Sequence, residues 1–127
     1  MAGASFEYEI YKTDVENASK TFGELEAHFG FCEYHDDSDY WATSYHLLTN
    51  PVYYYNYLLG ELIGTQWIAH LRRNYGGIVD NKESTEYLIN SIYKKGAKKE
   101  WFEIIKDATG EELNMKYFIE SLRPPKR

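Results

Sequence analysis

The chain has one cysteine, Cys32, in 127 residues. A single thiol excludes an intrachain disulfide and a cysteine-rich zinc site, and it leaves the redox compartment open. No apolar run approaches the ~20 residues a membrane helix needs, so no membrane partner is expected. Residues 1–5 lack the basic and apolar regions of a signal peptide; they fit an expression scar or the cut end of a longer chain equally well, and localisation stays open. Acidic residues outnumber basic ones, 20 to 14. The net charge is −6, which argues against a nucleic-acid partner. The run Lys94, Lys95, Lys98 and Lys99 reads as solvated helix surface. The Val, Ile and Thr alternation of strands is almost absent, as are a Gly-rich phosphate loop and a G-x-S-x-G elbow. The paired-histidine H-E-x-x-H pattern of zinc peptidases is missing too. His28, Glu33, His35, Asp36 and Asp37 come nearest to a ligand cluster, and they read as an acidic surface loop.

What is present is helical spacing and tyrosine. Hydrophobic residues make up 43% and charged residues 27%, as expected for a globular chain with a real core. The expectation is an all-α helical bundle forming a single domain over 1–127. One long central helix spans about 51–75, with shorter helices packed around it. Phe6 to Lys12 reads as helical. Asp14 is a candidate cap for a helix carrying Val15, Ala18, Phe22, Leu25 and Phe29 on one face and stopping near Gly30. Residues 32–39 read as a loop, with Ser38 or Asp39 capping a short helix from Trp41 to Leu48. Thr49-Asn50-Pro51 predicts the start of the long helix, with Asn50 as N-cap and Pro51 as first helical residue. Gly60 and Gly64, four apart, suggest close approach of another helix backbone. Asn81 or Ser84 begins the next helix. Ala97 to Ala108 follows, with Trp101, Ile104 and Ile105 inward and a stop at Thr109-Gly110. Asn114 is a candidate cap for Met115 to Leu122, which ends before Pro124-Pro125.

Thirteen tyrosines are the compositional anomaly. On a helix, Tyr54, Tyr57 and Glu61 share a face. Two phenols can donate hydrogen bonds to an oxyanion; a Tyr-rich core helix would explain the same spacing.

The order of residues favours the first reading. His46, then Tyr54-Tyr55-Asn56-Tyr57, then Gln66 resembles the C-terminal part of the helical zinc peptidases related to angiotensin-converting enzyme. More distantly it resembles the thimet-oligopeptidase and oligoendopeptidase group. Trp101-Phe102-Glu103 and Ala108-Thr109-Gly110 resemble the segment that follows in those enzymes. The likeness covers most of 41–122 and is loose over 6–40. It implies peptide-bond hydrolysis at a zinc ion. His46 would hydrogen-bond the substrate backbone, Tyr57 would donate to the tetrahedral oxyanion, and Tyr54 would assist it or bind the substrate.

Departures from the pattern narrow this. The H-E-x-x-H helix and the third zinc ligand lie upstream in those enzymes and are not in this chain. The His46–Tyr54 gap differs by one residue. Asn56 stands where chloride-dependent members have Arg, so chloride activation is not expected. Ser44 stands where a Lys anchors a substrate's C-terminal carboxylate, which argues against dipeptide release. The expectation is the C-terminal, substrate-binding and oxyanion-stabilising part of a zinc metallopeptidase. Its partners would be a peptide substrate and the N-terminal part of the same enzyme. Zinc belongs to the full-length protein, none is expected in this chain, and the chain alone is expected to be inactive. Apolar surface left open by the missing part would drive self-association. The alternative is a stand-alone helical domain, derived from such a peptidase, that binds a peptide or partner without catalysis.

Overall fold

The structure, a computed structural model, describes residues 1–12, 15–30, 33 and 39–123. Among these every regular element is helical, as the patterning predicts. The α-helices are α1 (Ala2–Ile10), α2 (Ala18–Gly30), α3 (Tyr45–Thr49), α4 (Tyr55–Tyr75), α5 (Lys82–Leu88), α6 (Trp101–Thr109) and α7 (Lys116–Ser121). The expected Asp14 and Ser38 caps, the side chain of Val15, nearly all of the 32–39 loop and Pro124-Pro125 lie outside the described residues. No helix among those described is long and apolar enough to cross a membrane. The chain divides into two compact units, residues 1–59 and 60–127.

In the first unit, α1 packs against α2. Phe6, Ala18, Phe22 and Leu47 are buried, with Ile10, Leu25, Trp41 and Tyr54 against them. Phe6 meets Phe22 edge-on at 5.0 Å between ring centroids, a favoured aromatic geometry. Trp41 donates its indole N–H to Ser19 Oγ at 3.0 Å, which satisfies the polar tip of a half-buried ring. The expected helix from Trp41 to Leu48 is two pieces, a 3₁₀ turn over Asp39–Thr43 and α3.

The long helix starts later than the Asn-Pro signal predicts. Asn50 ends α3, and Val52 takes a left-handed backbone at φ +58°. That conformation disfavours a β-branched residue and breaks the helix that Pro51 was expected to open. The first turn is closed instead by Asn56 N–H to Tyr53 O and Tyr57 N–H to Tyr54 O. The free N–H groups of Tyr53 and Tyr54 find a partner far away in sequence. Both donate to the carboxylate of Glu7 on α1, at 3.2 and 2.8 Å. Glu7 is buried, and these bonds are what make burying a carboxylate tolerable.

The second unit is built on Leu71, Ile92, Ile104, Ile105, Ala108 and Tyr117, all buried. Asn81 caps α5 as expected, accepting from Ser84 N–H at 3.1 Å. The helix then widens into a π-turn over Ile89–Tyr93. Helix α6 opens with a reciprocal capping box between Glu100 and Glu103 and closes at Gly110, whose φ of +80° suits glycine. Asn114 Oδ1 accepts from Lys116 N–H at 3.0 Å at the start of α7. Two expectations fail here. Trp101 is exposed rather than inward, because it sits at the first position of α6, ahead of the turn that Ile104 and Ile105 bury. A side chain added at Gly60 or Gly64 would meet nothing within 4 Å among the described residues, so neither glycine marks a close helix contact there.

Candidate active site

Three residues singled out from the sequence come together in the first unit. Tyr57 lies in the first turn of α4, Tyr54 just before it, and His46 in α3. Tyr57 Oη is 2.9 Å from His46 Nε2. The Tyr54 and Tyr57 rings lie 5.5 Å apart, and His46 stands edge-on to Tyr57 at 5.4 Å and to Tyr54 at 6.4 Å. Tyr57 is half exposed, so its phenol has an open side. His46 Nδ1 is buried and has no hydrogen-bond partner among the described residues.

The elements explain the placement. Glu7 fixes the backbone at Tyr53 and Tyr54, and the i→i+3 turn that follows carries Tyr57. The ring of Tyr54 passes so close to Gly3 that a side chain there would collide with it. Tyr54 also walls a cavity of about 350 Å³ shared with Phe22, Glu26, Trp41, Thr43 and Leu47. Tyr57 and His46 are not among the residues lining this cavity.

Sequence reading missed Glu7. Its signal, a carboxylate in a helix 46 residues upstream of Tyr53, has no local pattern. Glu61, expected on the tyrosine face, is an exposed residue of the second unit.

Gln66 belongs to the second unit, where it has a structural task. It is buried. Its amide donates to Thr109 Oγ1 at 2.9 Å and to Glu112 O at 3.2 Å, and its carbonyl accepts from Asn114 N–H at 2.8 Å. One side chain thus ties α4 to the Thr109–Asn114 connection. A larger groove in this unit, about 570 Å³ and lined by residues such as Lys99, Glu103, Lys106 and Asp107, includes none of the predicted site residues. There the Lys99 ammonium, 2.7 Å from Asp107, holds that carboxyl below its usual range.

The comparisons point to a metallopeptidase. Residues 50–124 match the model of the carboxypeptidase Taq (M32) metallopeptidase family, and the chain belongs to that family. The match supports a zinc metallopeptidase family and not the angiotensin-converting or oligoendopeptidase grouping suggested by the sequence. No curated protein and no solved structure matches the chain. Zinc is the metal the family implies. Among the described residues no three His, Cys, Asp or Glu side chains converge as a metal site. The described residues do not supply a ligand set for a zinc ion.

Proposed function

We propose that this chain is the C-terminal, substrate-binding and oxyanion-stabilising part of a zinc-dependent metallopeptidase that hydrolyses peptide bonds, with the carboxypeptidase action of the family's name. The observation that carries this reading is the cluster of Tyr57, Tyr54 and His46 within the first unit, in a chain whose family is a metallopeptidase family. The roles follow the likeness to the angiotensin-converting and oligoendopeptidase pattern. As the scissile carbonyl becomes tetrahedral, its oxygen gains negative charge. Tyr57 donates a hydrogen bond to that oxygen, and Tyr54 supports it or holds the substrate. His46 lines the same side of the cleft. The substrate is a peptide, and the metal-bearing N-terminal part of the enzyme is the partner that completes the cleft.

The test uses the longest protein encoded in frame with this chain, supplied with zinc and a peptide bearing a free C-terminus. Chelator-sensitive hydrolysis is expected. Tyr57→Phe should lower kcat by ~10²–10³-fold with little change in KM, the usual loss for one oxyanion donor. A wild-type kcat in Tyr57→Phe would end the oxyanion assignment. The 127-residue chain alone should not hydrolyse the peptide, and chelator-sensitive cleavage by it would end the reading of the chain as a part.

One set of observations favours the non-catalytic alternative. Tyr40, Tyr45, Tyr53, Tyr55 and Tyr57 of the first unit are all exposed, and such rings can anchor a peptide or partner. An upstream reading frame without H-E-x-x-H would turn the balance toward it. In either case the open aromatic surface predicts self-association of the isolated chain; a clean monomer at high concentration by light scattering would count against that.

A further inference from the structure

The two ring nitrogens of His46 are in different situations, and this decides where its proton sits. Nε2 has Tyr57 Oη at 2.9 Å. Nδ1 is buried, with no hydrogen-bond partner among the described residues. A neutral imidazole has one N–H and one lone pair.

We propose that His46 keeps its proton on Nε2 and donates it to Tyr57 Oη, which leaves the Tyr57 phenol proton free to point into the cleft. His46 is then a positioning residue for Tyr57 rather than a ligand of the substrate backbone. The inference rests on the reading of Tyr57 as oxyanion donor.

Placing the proton on Nδ1 would bury an N–H with no hydrogen-bond acceptor among the described residues. Orphaned buried N–H groups are rarer in proteins than under-satisfied acceptors. The same tautomer would turn the Tyr57 proton back toward the Nε2 lone pair. Only oxygen lone pairs would then face a developing oxyanion, and these repel it. An imidazolium is no remedy, since it also carries an N–H at Nδ1. The Nε2–H form leaves only a lone pair at the buried nitrogen. Tyr57 is half exposed, so its released O–H meets water in the free protein and a substrate oxygen in the complex. Accepting a bond from His46 also polarises the phenol and makes it a better donor. The second structural support is backbone placement. Glu7 holds Tyr53 and Tyr54, and the turn from Tyr54 carries Tyr57, so phenol and imidazole meet in a fixed register.

The test needs no catalysis. Two-bond proton–nitrogen correlation spectra of the ¹⁵N-histidine-labelled 127-residue chain, recorded above the ordinary imidazole range, report the tautomer directly. His46→Ala identifies the His46 signals. A protonated Nε2 and bare Nδ1 are expected in the wild type. In Tyr57→Phe, which keeps the ring and removes the acceptor, exchange of the Nε2 proton with water should accelerate by about fivefold or more, while Tyr54→Phe leaves it unchanged. A proton on Nδ1 would overturn the inference, its N–H then resting on a neighbouring Tyr45 or Tyr54 ring. So would an Nε2 proton whose exchange ignores Tyr57→Phe. Either result leaves the peptidase reading to its own activity assay, and failure of that assay leaves the tautomer result intact.

Discussion

Glu7 Oε2 accepts the backbone N–H of Tyr54 at 2.8 Å, and its other oxygen accepts that of Tyr53. The buried carboxylate does from α1 what a local N-cap would do for α4, and its negative charge sits at the positive end of a 21-residue helix. Glu7→Ala should lower the stability of the first unit by about 2–3 kcal/mol, because it orphans two N–H groups and removes charge-assisted bonds. Glu7→Gln should fall between, since its amide nitrogen opposes one of the N–H groups. Urea unfolding followed by the fluorescence of Trp41, which packs on the same core, gives the difference. A change below about 0.5 kcal/mol in Glu7→Ala, the level of an ordinary surface substitution, would show that the carboxylate is not the cap.

Gln66 should be among the costliest positions in the second unit. Replacing it with Leu keeps volume but leaves the Asn114 N–H and the Glu112 carbonyl without the partner they have now. Loss of about 2–4 kcal/mol is expected. In a double-mutant cycle with Thr109→Val, whose hydroxyl accepts from Gln66, the two changes should couple by about 0.5–3 kcal/mol. Additive effects would mean that the 2.9 Å bond carries no stability of its own.

These two residues show what can be read locally and what cannot. The Asn81 cap, the Gly110 stop and the buried pair Ile104 and Ile105 are set by neighbours within one turn, and spacing finds them. Gln66 could be picked out as part of a pattern, but its task depends on a connection more than 40 residues away. Glu7 could not be found at all, because its partners are backbone groups, which leave no mark on residue identity. Pro51 misled for a related reason. Its fixed φ suits the first position of a helix, yet Val52 takes the left-handed conformation and the helix begins at Tyr55. His46, Tyr54 and Tyr57 can be picked out as an ordered pattern, but the contact of His46 with Tyr57 and the burial of one ring nitrogen and not the other depend on the fold.

Gly60 and Gly64 give a prediction from a corrected expectation. Both lie inside α4, and an added Cβ at either meets nothing within 4 Å among the described residues. Gly60→Ala and Gly64→Ala should each stabilise the isolated chain by about 0.5–1 kcal/mol, the helix-propensity difference. Gly110→Ala is the contrast. At φ +80° alanine is strained, and a loss of about 1 kcal/mol is expected. Thermal melts of the three variants decide it. Destabilisation by Gly60→Ala or Gly64→Ala would restore the close helix contact that the sequence suggested.

Glu111 sets part of the pH dependence of the second unit. Lys116 Nζ lies 2.8 Å from its Oε2, and the Tyr117 hydroxyl donates to its other oxygen. The lysine first, then the phenol, hold the carboxyl below its usual range. A depressed folded value means that the unfolded chain binds this proton more readily than the folded one. The stabilisation is therefore complete above the ordinary glutamate value of ~4.3. It fades as pH falls through that value and is gone below the folded one. Lys116 is shifted upward, chiefly by Glu111. Its share is thus present below the ordinary lysine range and is lost only as pH rises through the raised value. Urea midpoints of wild type and Glu111→Gln should differ most near pH 7 and converge toward pH 3. Asp107 and its lysines remain in both proteins and so drop out of the difference. The ion pair is partly exposed, and added salt should shrink the gap at pH 7. A gap that stays constant from pH 7 to pH 3 would mean that Glu111 stabilises the unit through the packing of its side chain rather than through its charge.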